Sequence, residues 1–376
     1  MSQPLLASII ISSYNYGCYL KEAIDSAMSQ TYPHTEVIVV DDGSTDNSPE
    51  IIASYGDRII PVLKENGGQA SALNAGYRVS RGQVLFFLDS DDMLLPTAVQ
   101  QAVKFFNDPA IVKVHWPLLV IDEYETMTGR LIPGSLLPEG DLREDIIRDG
   151  PYSYAWPDTS GNAWARRFIE RIFPIPEVEF KTCPDLWLAA FAPLFGLLKG
   201  ISEPQSFYRD HGNNHSGREP FDERVRVAAW REEICADALA VYCRSIGVSV
   251  DLERWKANLW YHKVRLATQE IMDLIPPGET FILVDEDQWG MDHDFAELHS
   301  VPFLEHEGRY WGPPPDGAIA ILEFERLRQA GAGFIVVAWP AFWWLEYYAG
   351  LHHHLRSRFR CVLENERLVV FDLGPA

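Results

Sequence analysis

The sequence has little of several features that mark particular classes of protein. Its five cysteines in 376 residues are an odd number and include no Cys-x-x-Cys pair. This usage is typical of reduced thiols and not of a disulfide framework, so we expect a cytoplasmic protein. No basic segment precedes the first apolar run, and we predict no signal peptide. The longest apolar stretch, residues 332–345, is too short to span a bilayer and contains Pro340, so we predict no transmembrane segment.

Basic charge is also scarce, with 32 Lys and Arg against 54 Asp and Glu and a net charge of -22. Such a surface repels phosphates and anionic headgroups, so we expect no nucleic-acid partner. A polyanionic substrate would have to be held locally by a metal ion or a few arginines. The motifs Gly-x-Gly-x-x-Gly and Gly-x-x-x-x-Gly-Lys are missing as well, which argues against dinucleotide-binding and P-loop proteins.

The remaining composition is that of a globular protein, with 47% hydrophobic and 23% charged residues. Its length favours two domains. In the first hundred residues, apolar runs that predict strands alternate with amphipathic segments that predict helices. The strands are predicted at 8–13, 36–41, 58–63 and 84–88, and the helices at 20–30, 49–55 and 69–79. This alternation predicts a parallel sheet covered on both faces by helices.

The second half of the chain has a different pattern of predicted helices and strands. Two long helical segments are predicted between 222 and 275, and Pro276-Pro277-Gly278 then breaks the chain. Further predictions are strands at 281–284 and 334–337, helices at 319–329 and 342–354, and a closing hairpin at 361–373. We therefore predict a catalytic domain at 1–217 and an accessory domain at 218–376, helical over 222–275 and a small α/β region over 276–376. The boundary lies near Gly217.

Acidic residues follow two of the predicted strands. In a parallel α/β sheet, ligands bind outside the carboxyl ends of the strands. Asp89 and Asp91 directly follow the apolar strand 84–88, and residues two apart in an extended backbone can face one ion. Carboxylate oxygens suit Mg²⁺ or Mn²⁺, which complete their shells with substrate phosphates. The alternative is a solvated acidic turn in which Asp92 caps the next helix.

Asp41 and Asp42 end the strand 36–41. Gly43 suits a tight turn and Asp46 suits a helix cap, which leaves the two preceding carboxylates without a structural explanation. They could accept hydrogen bonds from a ribose hydroxyl or a uracil N–H, and Tyr14 could stack on the base. A tyrosine at a strand end is more often a packing residue.

Three runs carry a family resemblance. SIIISSYNYGCYLKEAIDSAMSQTYPHTEVIVVDDGSTDNS, ENGGQASALNAG and GQVLFFLDSDDMLLP occur in order over residues 8–96 and resemble glycosyltransferase family 2. Weaker matches, TSGNAW, PDLWL and FYRDHGNNHSG, extend the resemblance to about residue 217. It implies the α/β fold called GT-A, a Rossmann-like mixed or parallel sheet covered by helices. The C-terminal helical and small α/β accessory region lies outside the resemblance.

The resemblance also implies roles for individual residues. Nucleotide-sugar binding is implied for Ser12, Tyr14, Asp41, Asp42, Asp89 and Arg209. Metal binding, to Mn²⁺ or Mg²⁺, is implied for Asp89, Asp91 and His211, with Asp92 beside them. The acceptor side is implied for Thr159, Ser160, Gly161 and Asn162.

The catalytic base departs from the family pattern. When the segment is aligned on Leu-Trp-Leu, the usual Asp position is occupied by Cys183, and Asp185 lies two residues later. A thiol is a poor acceptor for the proton of a sugar hydroxyl, so we assign the base to Asp185. A helix-capping role after Pro184 is the competing interpretation.

These features predict a metal-dependent, inverting glycosyltransferase that uses a nucleotide-diphosphate sugar, with UDP-sugars favoured by the resemblance. The acceptor is a hydroxyl of a glycan or another molecule, as in polysaccharide biosynthesis. The absence of a Gln-x-x-Arg-Trp motif argues against a processive synthase. The alternatives are a non-catalytic nucleotide-sugar-binding module and, with less support, a sugar nucleotidyltransferase, whose Gly- and Arg-rich loop is missing.

The C-terminal region holds eight of the twelve tryptophans, at residues beyond 218. We expect an accessory module that serves acceptor choice or assembly, with a homodimer contact as the competing use. The aromatic run at 339–348 is predicted mainly as core, although it could stack on sugars. Asp285-Glu286-Asp287 resembles the start of a calcium loop, but Trp289 and Ala296 occupy ligand positions, so we reject a calcium site.

Overall fold

The computed structural model describes residues 3–211, 214, 220–290, 294–295 and 297–374. The chain folds into two compact units. The first comprises Met1–His215 and Arg231–Leu259, and the second comprises Ser216–Trp230 and Trp260–Ala376. Gly217, at the predicted domain boundary, lies outside the described residues, and that boundary stays a prediction.

Strands and helices of the first unit begin and end within a few residues of their predicted bounds where a prediction was made. Its strands are β1 Ala7–Ser13, β2 Thr35–Asp41, β3 Ile60–Leu63, β4 Val84–Asp89, β5 Met93–Leu94, β6 Ile111–His115, β7 Leu118–Asp122, β8 Met127–Ile132, β9 Asn162–Ala165, β10 Leu197–Gly200 and β11 Ser206–Asp210. Its helices are α1 Gly17–Met28, α2 Ser48–Ser54, α3 Gln69–Val79, α4 Ala98–Val103, α5 Arg143–Asp149, α6 Arg166–Ile172, α7 Asp185–Phe195, α8 Phe221–Ser245 and α9 Leu252–Asn258. Helix α8 starts in the second unit and continues into the first.

The main sheet of the first unit has the strand order β10-β6-β9-β4-β1-β2-β3. Strand β1 pairs in parallel with β2 and β4, whereas β9 is antiparallel to both β4 and β6. Ile10 and Ile38 pack in the core on one face of the sheet, and Ile9 and Val37 pack in the core on the other face. Successive residues of these strands therefore contribute to different cores. Both faces are covered, which explains why these strands read as continuous apolar runs.

A second, smaller sheet has the order β5-β11-β7-β8. Strand β11 is antiparallel to β5, with Phe207 opposite Met93, and parallel to β7. This pairing brings the end of β11 beside the acidic loop that follows β4.

The helical segment predicted at 222–275 consists of α8, α9 and α10, the last spanning Trp260–Leu274. The prediction of two helices missed the short α9, because the loop at Gly247 (φ +77°) and the extended Leu259 interrupt the helical backbone. Leu239, Trp255 and Leu259 pack in a core cluster of the first unit. Within the described part of the chain, no helix combines the length and apolarity needed to cross a membrane.

The second unit has its own α/β fold. After α10 come β12 Thr280–Val284, β13 Asp294–Phe295, β14 Leu298–Pro302, β15 Glu305–His306, β16 Arg309–Tyr310, α11 Gly317–Gln329, β17 Ala332–Ala338, α12 Trp343–Tyr347, α13 Ala349–Arg358, β18 Arg360–Glu364 and β19 Leu368–Asp372. The larger sheet has the order β13-β14-β12-β17-β19-β18. Strand β12 is parallel to β14 and β17, and β18 and β19 form the predicted closing hairpin. The single helix predicted at 342–354 is wrong, because the backbone of Tyr348 (ψ 53°) separates α12 from α13.

Candidate active site

The carboxyl ends of β1, β2 and β4 lie side by side at one edge of the main sheet. In the strand register, Ser13 lies opposite Asp41, and Ser12 lies opposite Asp89. Register partners on neighbouring strands share a face, so these four residues form two pairs on opposite faces of the sheet. The structure therefore places the residues predicted at the ends of these strands at one edge.

Ser13 and Asp41 present polar atoms without protein partners. Asp41 is 4% exposed, and its Oδ2 accepts a hydrogen bond from the Ser44 N–H at 3.2 Å. Its Oδ1 and the Ser13 hydroxyl are buried and have no partner among the described residues. A buried polar atom left unpaired costs about 1–3 kcal/mol, so this pair is ready to bind a polar ligand group. Ser13 was not among the predicted site residues, although strand alternation places it on the face of Asp41.

The carboxylate of Asp42, in contrast, already accepts hydrogen bonds from other groups of the protein. Its carboxylate accepts hydrogen bonds from the Lys64 ammonium at 2.5 Å and from the Gly68 N–H at 2.7 Å, with the Gly67 N–H at 3.1 Å from both oxygens. These bonds hold the loop 64–68 against the end of β2. The unpaired oxygen of Asp41 makes it the better placed of the two predicted nucleoside ligands. Tyr14 is 46% exposed and leaves its ring accessible.

The remaining carboxylate of the acidic turn after β2, that of Asp46, has a structural role. Its carboxylate accepts hydrogen bonds from the Gly17 N–H at 2.8 Å and the Ser48 N–H at 3.0 Å, at the starts of α1 and α2. The structural role predicted for Asp46 is confirmed. The same alternative for Asp92 is wrong, because α4 follows Thr97 and Asp92 accepts the Arg209 N–H at 3.1 Å.

Asp91 and His211 bring two metal-ligating atoms together, Asp91 Oδ2 and His211 Nε2, at 3.2 Å. Neighbouring ligands of an octahedral ion with bonds of about 2.1 Å lie about 3 Å apart. A carboxylate and an imidazole suit Mn²⁺, and the chemistry of this pair therefore fits a divalent cation. Tyr19 stacks on the His211 ring at 4.8 Å and fixes its orientation.

A closed protein cage is not present in the described residues, where no three His, Cys, Asp or Glu side chains converge on a common point. An ion held by Asp91 and His211 would keep positions for substrate phosphates and water, as Mg²⁺ and Mn²⁺ sites of phosphate-transfer enzymes do. The prediction named Asp89 as a third ligand, but among the described residues only Asp91 and His211 are brought together, and a metal contact of Asp89 stays a prediction.

Arg209 holds the loop 90–92, which follows β4, in place. Its Nε donates to the Asp91 carbonyl at 3.0 Å, its guanidinium pairs with Glu22 and its charge lies over the Tyr19 ring at 4.9 Å. The side chain is fully buried. A direct contact between Arg209 and the donor stays a prediction.

Five carboxyl groups lie close enough together to raise one another's pKa values. Burial first, and then the charges of Asp91, Asp185 and Asp158, raise the pKa of Asp89 well above its usual range. Burial and the charges of Asp91 and Asp89 do the same to the pKa of Asp92. We call Asp89, Asp91, Asp92, Asp158 and Asp185 the carboxylate cluster. A cation bound here would favour the ionised forms of these carboxyl groups, whereas a bare diphosphate would disfavour them further.

Gln69 connects the first of these carboxylates with the segment before α7. Its amide Nε2 donates to Asp89 Oδ1 at 2.7 Å, and its Oε1 accepts the Cys183 N–H at 3.2 Å. At the neighbouring Gly68 (φ +91°), a Cβ would lie 2.8 Å from the Lys181 backbone. Gln69 was predicted only as the start of a helix. The tight approach at Gly68 fixes the distance that Gln69 spans.

Asp185 is the first residue of α7, behind Pro184 as N-cap, and no side chain caps this helix end. The Trp156 side chain donates a hydrogen bond to the carboxylate. Burial and the charge of Asp158 raise the pKa of Asp185 to about 7. A carboxylate with this pKa can accept a proton near neutral pH. The residue as a whole is half-buried, whereas its carboxyl group lies deep among protein atoms.

Cys183, at the family's usual base position, has a different environment. Burial and the charge of Asp185 raise the pKa of its thiol to about 12. The residue also adopts a left-handed backbone conformation, with φ +56°. Its thiol is therefore protonated at neutral pH and cannot act as a base.

The predicted acceptor residues form a turn that contacts the end of β4. The Ser160 hydroxyl accepts the Asp89 N–H at 3.2 Å, and Asn162 donates to the Asp158 carbonyl at 2.7 Å. All four predicted residues, Thr159, Ser160, Gly161 and Asn162, are buried. Asp158, which directly precedes them and was not predicted, is exposed as a residue, while desolvation of its carboxyl group by the surrounding protein atoms raises the pKa of that group. Of this turn, Asp158 is the residue best placed to meet a substrate hydroxyl.

Lys113 is a further side chain that the sequence did not indicate. It is fully buried on β6, its ammonium lies over the rings of Trp164 (5.0 Å) and Tyr154 (5.3 Å), and it has no hydrogen-bond partner among the described residues. Burial lowers the pKa of Lys113 to about 7, and the charge of Asp185 opposes this shift. Lys113 is thus a source of positive charge that favours the ionised form of Asp185.

Comparison with known proteins identifies relatives of this arrangement. The family model described as glycosyl transferase family 2 matches residues 8–171. An uncharacterized glycosyltransferase of Nostoc sp. is 38% identical over 276 residues, 71% of this chain and 84% of that protein. A chondroitin synthase of Pasteurella multocida is 42% identical over 159 residues, 41% of this chain. Apart from the Nostoc protein, the chain spans only 14% to 32% of the length of the curated relatives that it matches.

The fold has a structural counterpart as well. Residues 1–349 of S. aureus TarS, solved in complex with UDP-GlcNAc, superpose with a TM-score of 0.54 at 16% identity. The alignment covers 99% of this chain and 98% of that chain. The predicted GT-A-type fold is confirmed, with the mixed sheet and covering helices described above.

Proposed function

Because the chain belongs to glycosyltransferase family 2 and is a glycosyltransferase, we propose that it transfers a sugar from a nucleotide-diphosphate donor, with a divalent metal ion, to a hydroxyl acceptor. The carboxylate cluster beside the Asp91–His211 pair is the observation that carries this proposal. A nucleotide sugar brings further negative charge to this edge, and a cation offsets the repulsion. When bound, Mn²⁺ or Mg²⁺ supplies Lewis-acid neutralisation of the leaving diphosphate.

The donor nucleoside would lie at the ends of β1 and β2. The unpaired oxygens of Ser13 and Asp41 support hydrogen bonds to its polar groups, and the exposed ring of Tyr14 supports stacking on the base. Ser12 and Asp89 lie together on the opposite face of the sheet. A preference for UDP-sugars rests on the family resemblance.

The chemistry is a single displacement. The acceptor oxygen forms a bond to the anomeric carbon, the bond from that carbon to the diphosphate oxygen breaks, and the hydroxyl proton passes to Asp185. The pKa of about 7 supports Asp185 as this general base. One displacement inverts the anomeric configuration and needs no protein nucleophile.

Several further assignments belong to the proposal. The acceptor is a glycan or another hydroxyl compound, as the name of the chondroitin synthase relative suggests. Transfer is non-processive, a proposal that rests on the missing Gln-x-x-Arg-Trp motif. We place the protein in the cytoplasm, in polysaccharide biosynthesis. Residues 218–376 would act as an accessory domain in acceptor choice or in a homodimer contact.

The test measures donor hydrolysis and sugar transfer with and without Mn²⁺ in the full chain. Asp91→Asn should keep the fold but lose most metal-dependent donor binding, because a charged oxygen ligand becomes a neutral amide. Asp210→Asn is the matched control, since Asp210 adjoins His211 but pairs with Arg130 at 3.4 Å. If the Asp91 variant keeps its metal dependence, the ion does not bind there. If the wild-type chain binds donor but never hydrolyses or transfers it, the protein is a binding module.

A further inference from the structure

The sheet of the second unit contains a point at which strand order reverses. After β12 the chain adds β14 on one side, and it then crosses back to add β17 on the other side, giving the order β14-β12-β17. All three strands are parallel. In open α/β sheets, ligands bind outside the carboxyl ends of the strands at such a reversal. The reversal here lies between the ends of β12 and β17.

The chain places joined polar and aromatic groups at this point. Glu286 follows β12, and Trp343 and Trp344 follow β17. The indole N–H groups of both tryptophans donate to Glu286 Oε1, at 3.1 Å and 2.9 Å. Two loops from different strands are thereby connected at the position where a ligand is expected.

Two aromatic rings beside this carboxylate remain exposed. Trp343 is 43% exposed and Tyr347, one helical turn later, is 69% exposed, with ring centroids 5.5 Å apart. Trp344 and Tyr348 from the same segment are buried in the core. Because its N–H is bonded to Glu286, the Trp343 ring has a fixed orientation although it faces solvent. A fixed aromatic surface loses little conformational entropy when it binds a ligand.

The charge around these rings restricts the ligand. Asp287 is exposed beside Glu286, and the whole chain carries a net charge of -22. An anionic ligand such as a nucleotide or a phosphate polymer is therefore disfavoured here. Apolar ring faces combined with a few carboxylate acceptors match a neutral sugar, which presents C–H groups on its faces and hydroxyl donors at its edges.

From these observations we propose that the second unit binds a neutral glycan at the end of β12 and β17, with Trp343 and Tyr347 as the stacking surface and Glu286 and Asp287 as hydroxyl acceptors. The choice of a glycan over another neutral ligand rests on the proposed transfer to a glycan. This site would hold the acceptor chain separately from the residues that carry out transfer.

The test titrates the full chain with neutral hexasaccharides of glucose, mannose and N-acetylglucosamine by calorimetry. Tyr347→Ala and Trp343→Ala should each weaken binding of the bound oligosaccharide at least 10-fold. Trp230→Ala is the matched control, because Trp230 is 45% exposed but lies on α8. Trp343→Phe, which keeps a ring but loses the N–H, should retain part of the affinity and shows whether the alanine variant fails through misfolding.

Three results would overturn the inference: no binding of any of these oligosaccharides, equal weakening by Trp230→Ala, or conversion of a dimer into a monomer by the Trp343 and Tyr347 variants. The last result would identify the surface as a contact with a second copy. Donor hydrolysis with Mn²⁺, measured on the same variants, should not change. A wild-type chain that binds glycan but does not hydrolyse donor would disprove the proposed function and leave this site standing.

Discussion

The carboxylate of Asp185 has a pKa of about 7, which suits a general base at neutral pH. Asp185→Asn removes the proton acceptor without changing the size of the side chain. We expect turnover to fall roughly 10²-fold or more, with donor affinity nearly unchanged. Cys183→Ser should keep normal turnover, because the Cys183 thiol, with a pKa of about 12, takes no part in proton transfer. Steady-state kinetics and calorimetric donor titration measure both effects.

The opposite pattern, with Asp185→Asn active and Cys183→Ser inactive, would assign the base to Cys183, at the family's usual position. If both variants are active and Asp158→Asn is not, the exposed neighbour Asp158 is the base. The three variants together therefore locate the proton acceptor.

The raised pKa of Asp185 also predicts how stability depends on pH. The folded protein holds this proton more tightly than the unfolded chain, where the carboxyl has its ordinary pKa of 3.8. The free energy of unfolding should therefore fall as pH rises from about 4 through 7. Asp185→Asn removes this penalty, so the variant should gain on the order of 2 kcal/mol relative to wild type between pH 5 and pH 8. Urea unfolding at the two pH values measures the gain, and an equal difference at both would mean that Asp185 is not buried among like charges.

At the scale of elements, the sequence predicts β1, β2 and β4 to within one or two residues. These strands are buried on both faces, so their apolar runs mark them directly. The second sheet, β5-β11-β7-β8, was not predicted, since its strands are short and β8 is largely exposed. Helix α12 could not be separated from α13, because the break at Tyr348 lies in its backbone angles and no Gly or Pro marks it.

The candidate site likewise contains features that the sequence predicts and features that it does not. The carboxylates at the ends of β2 and β4 were predicted because they adjoin recognisable strands. The engagement of Asp42 by Lys64 and Gly68 could not be predicted, since these partners lie more than 20 residues away and are set by the folded loop. The same holds for Lys113, whose burial depends on the rings of Tyr154 and Trp164.

The hydrogen bonds of Gln69, which connect Asp89 with the segment before α7, give a prediction at the scale of elements. Gln69→Glu replaces the N–H that reaches Asp89 with a negative charge, while Asp91 and His211 stay as they are. We expect Mn²⁺ binding to persist and turnover to fall roughly 10-fold or more, because the base segment loses its fixed distance from Asp89. Calorimetric titration with Mn²⁺ and nucleotide, together with single-turnover kinetics, separates the two quantities. A loss of metal binding with unchanged turnover would contradict this interpretation of Gln69.

At the scale of the whole molecule, each of the two units consists of two separate stretches of the chain, so no single position in the sequence divides them. Residues 231–259 follow the predicted boundary near Gly217 but belong to the first unit. Leu239, Trp255 and Leu259 are buried in its core, and the Trp255 N–H donates to the Ile147 carbonyl at 3.1 Å. Burying each such side chain contributes about 1.5–3 kcal/mol. Their loss together approaches the 5–15 kcal/mol that typically stabilises a domain.

Two truncated chains test the boundary for this reason. A chain that ends at residue 217 lacks α8 and α9, and we expect it to aggregate or to unfold at a much lower temperature. A chain that ends at Leu259 keeps the complete core of the first unit, and it should stay soluble and bind nucleotide with Mn²⁺. Thermal unfolding, light scattering and donor hydrolysis compare the two. If the shorter chain is as stable and active as the longer one, residues 218–259 are dispensable for the catalytic domain and the boundary lies near Gly217. If only the longer chain folds, the catalytic domain needs residues 218–259 and the boundary near Gly217 is wrong, and any loss of acceptor transfer in that chain is due to the missing residues 260–376.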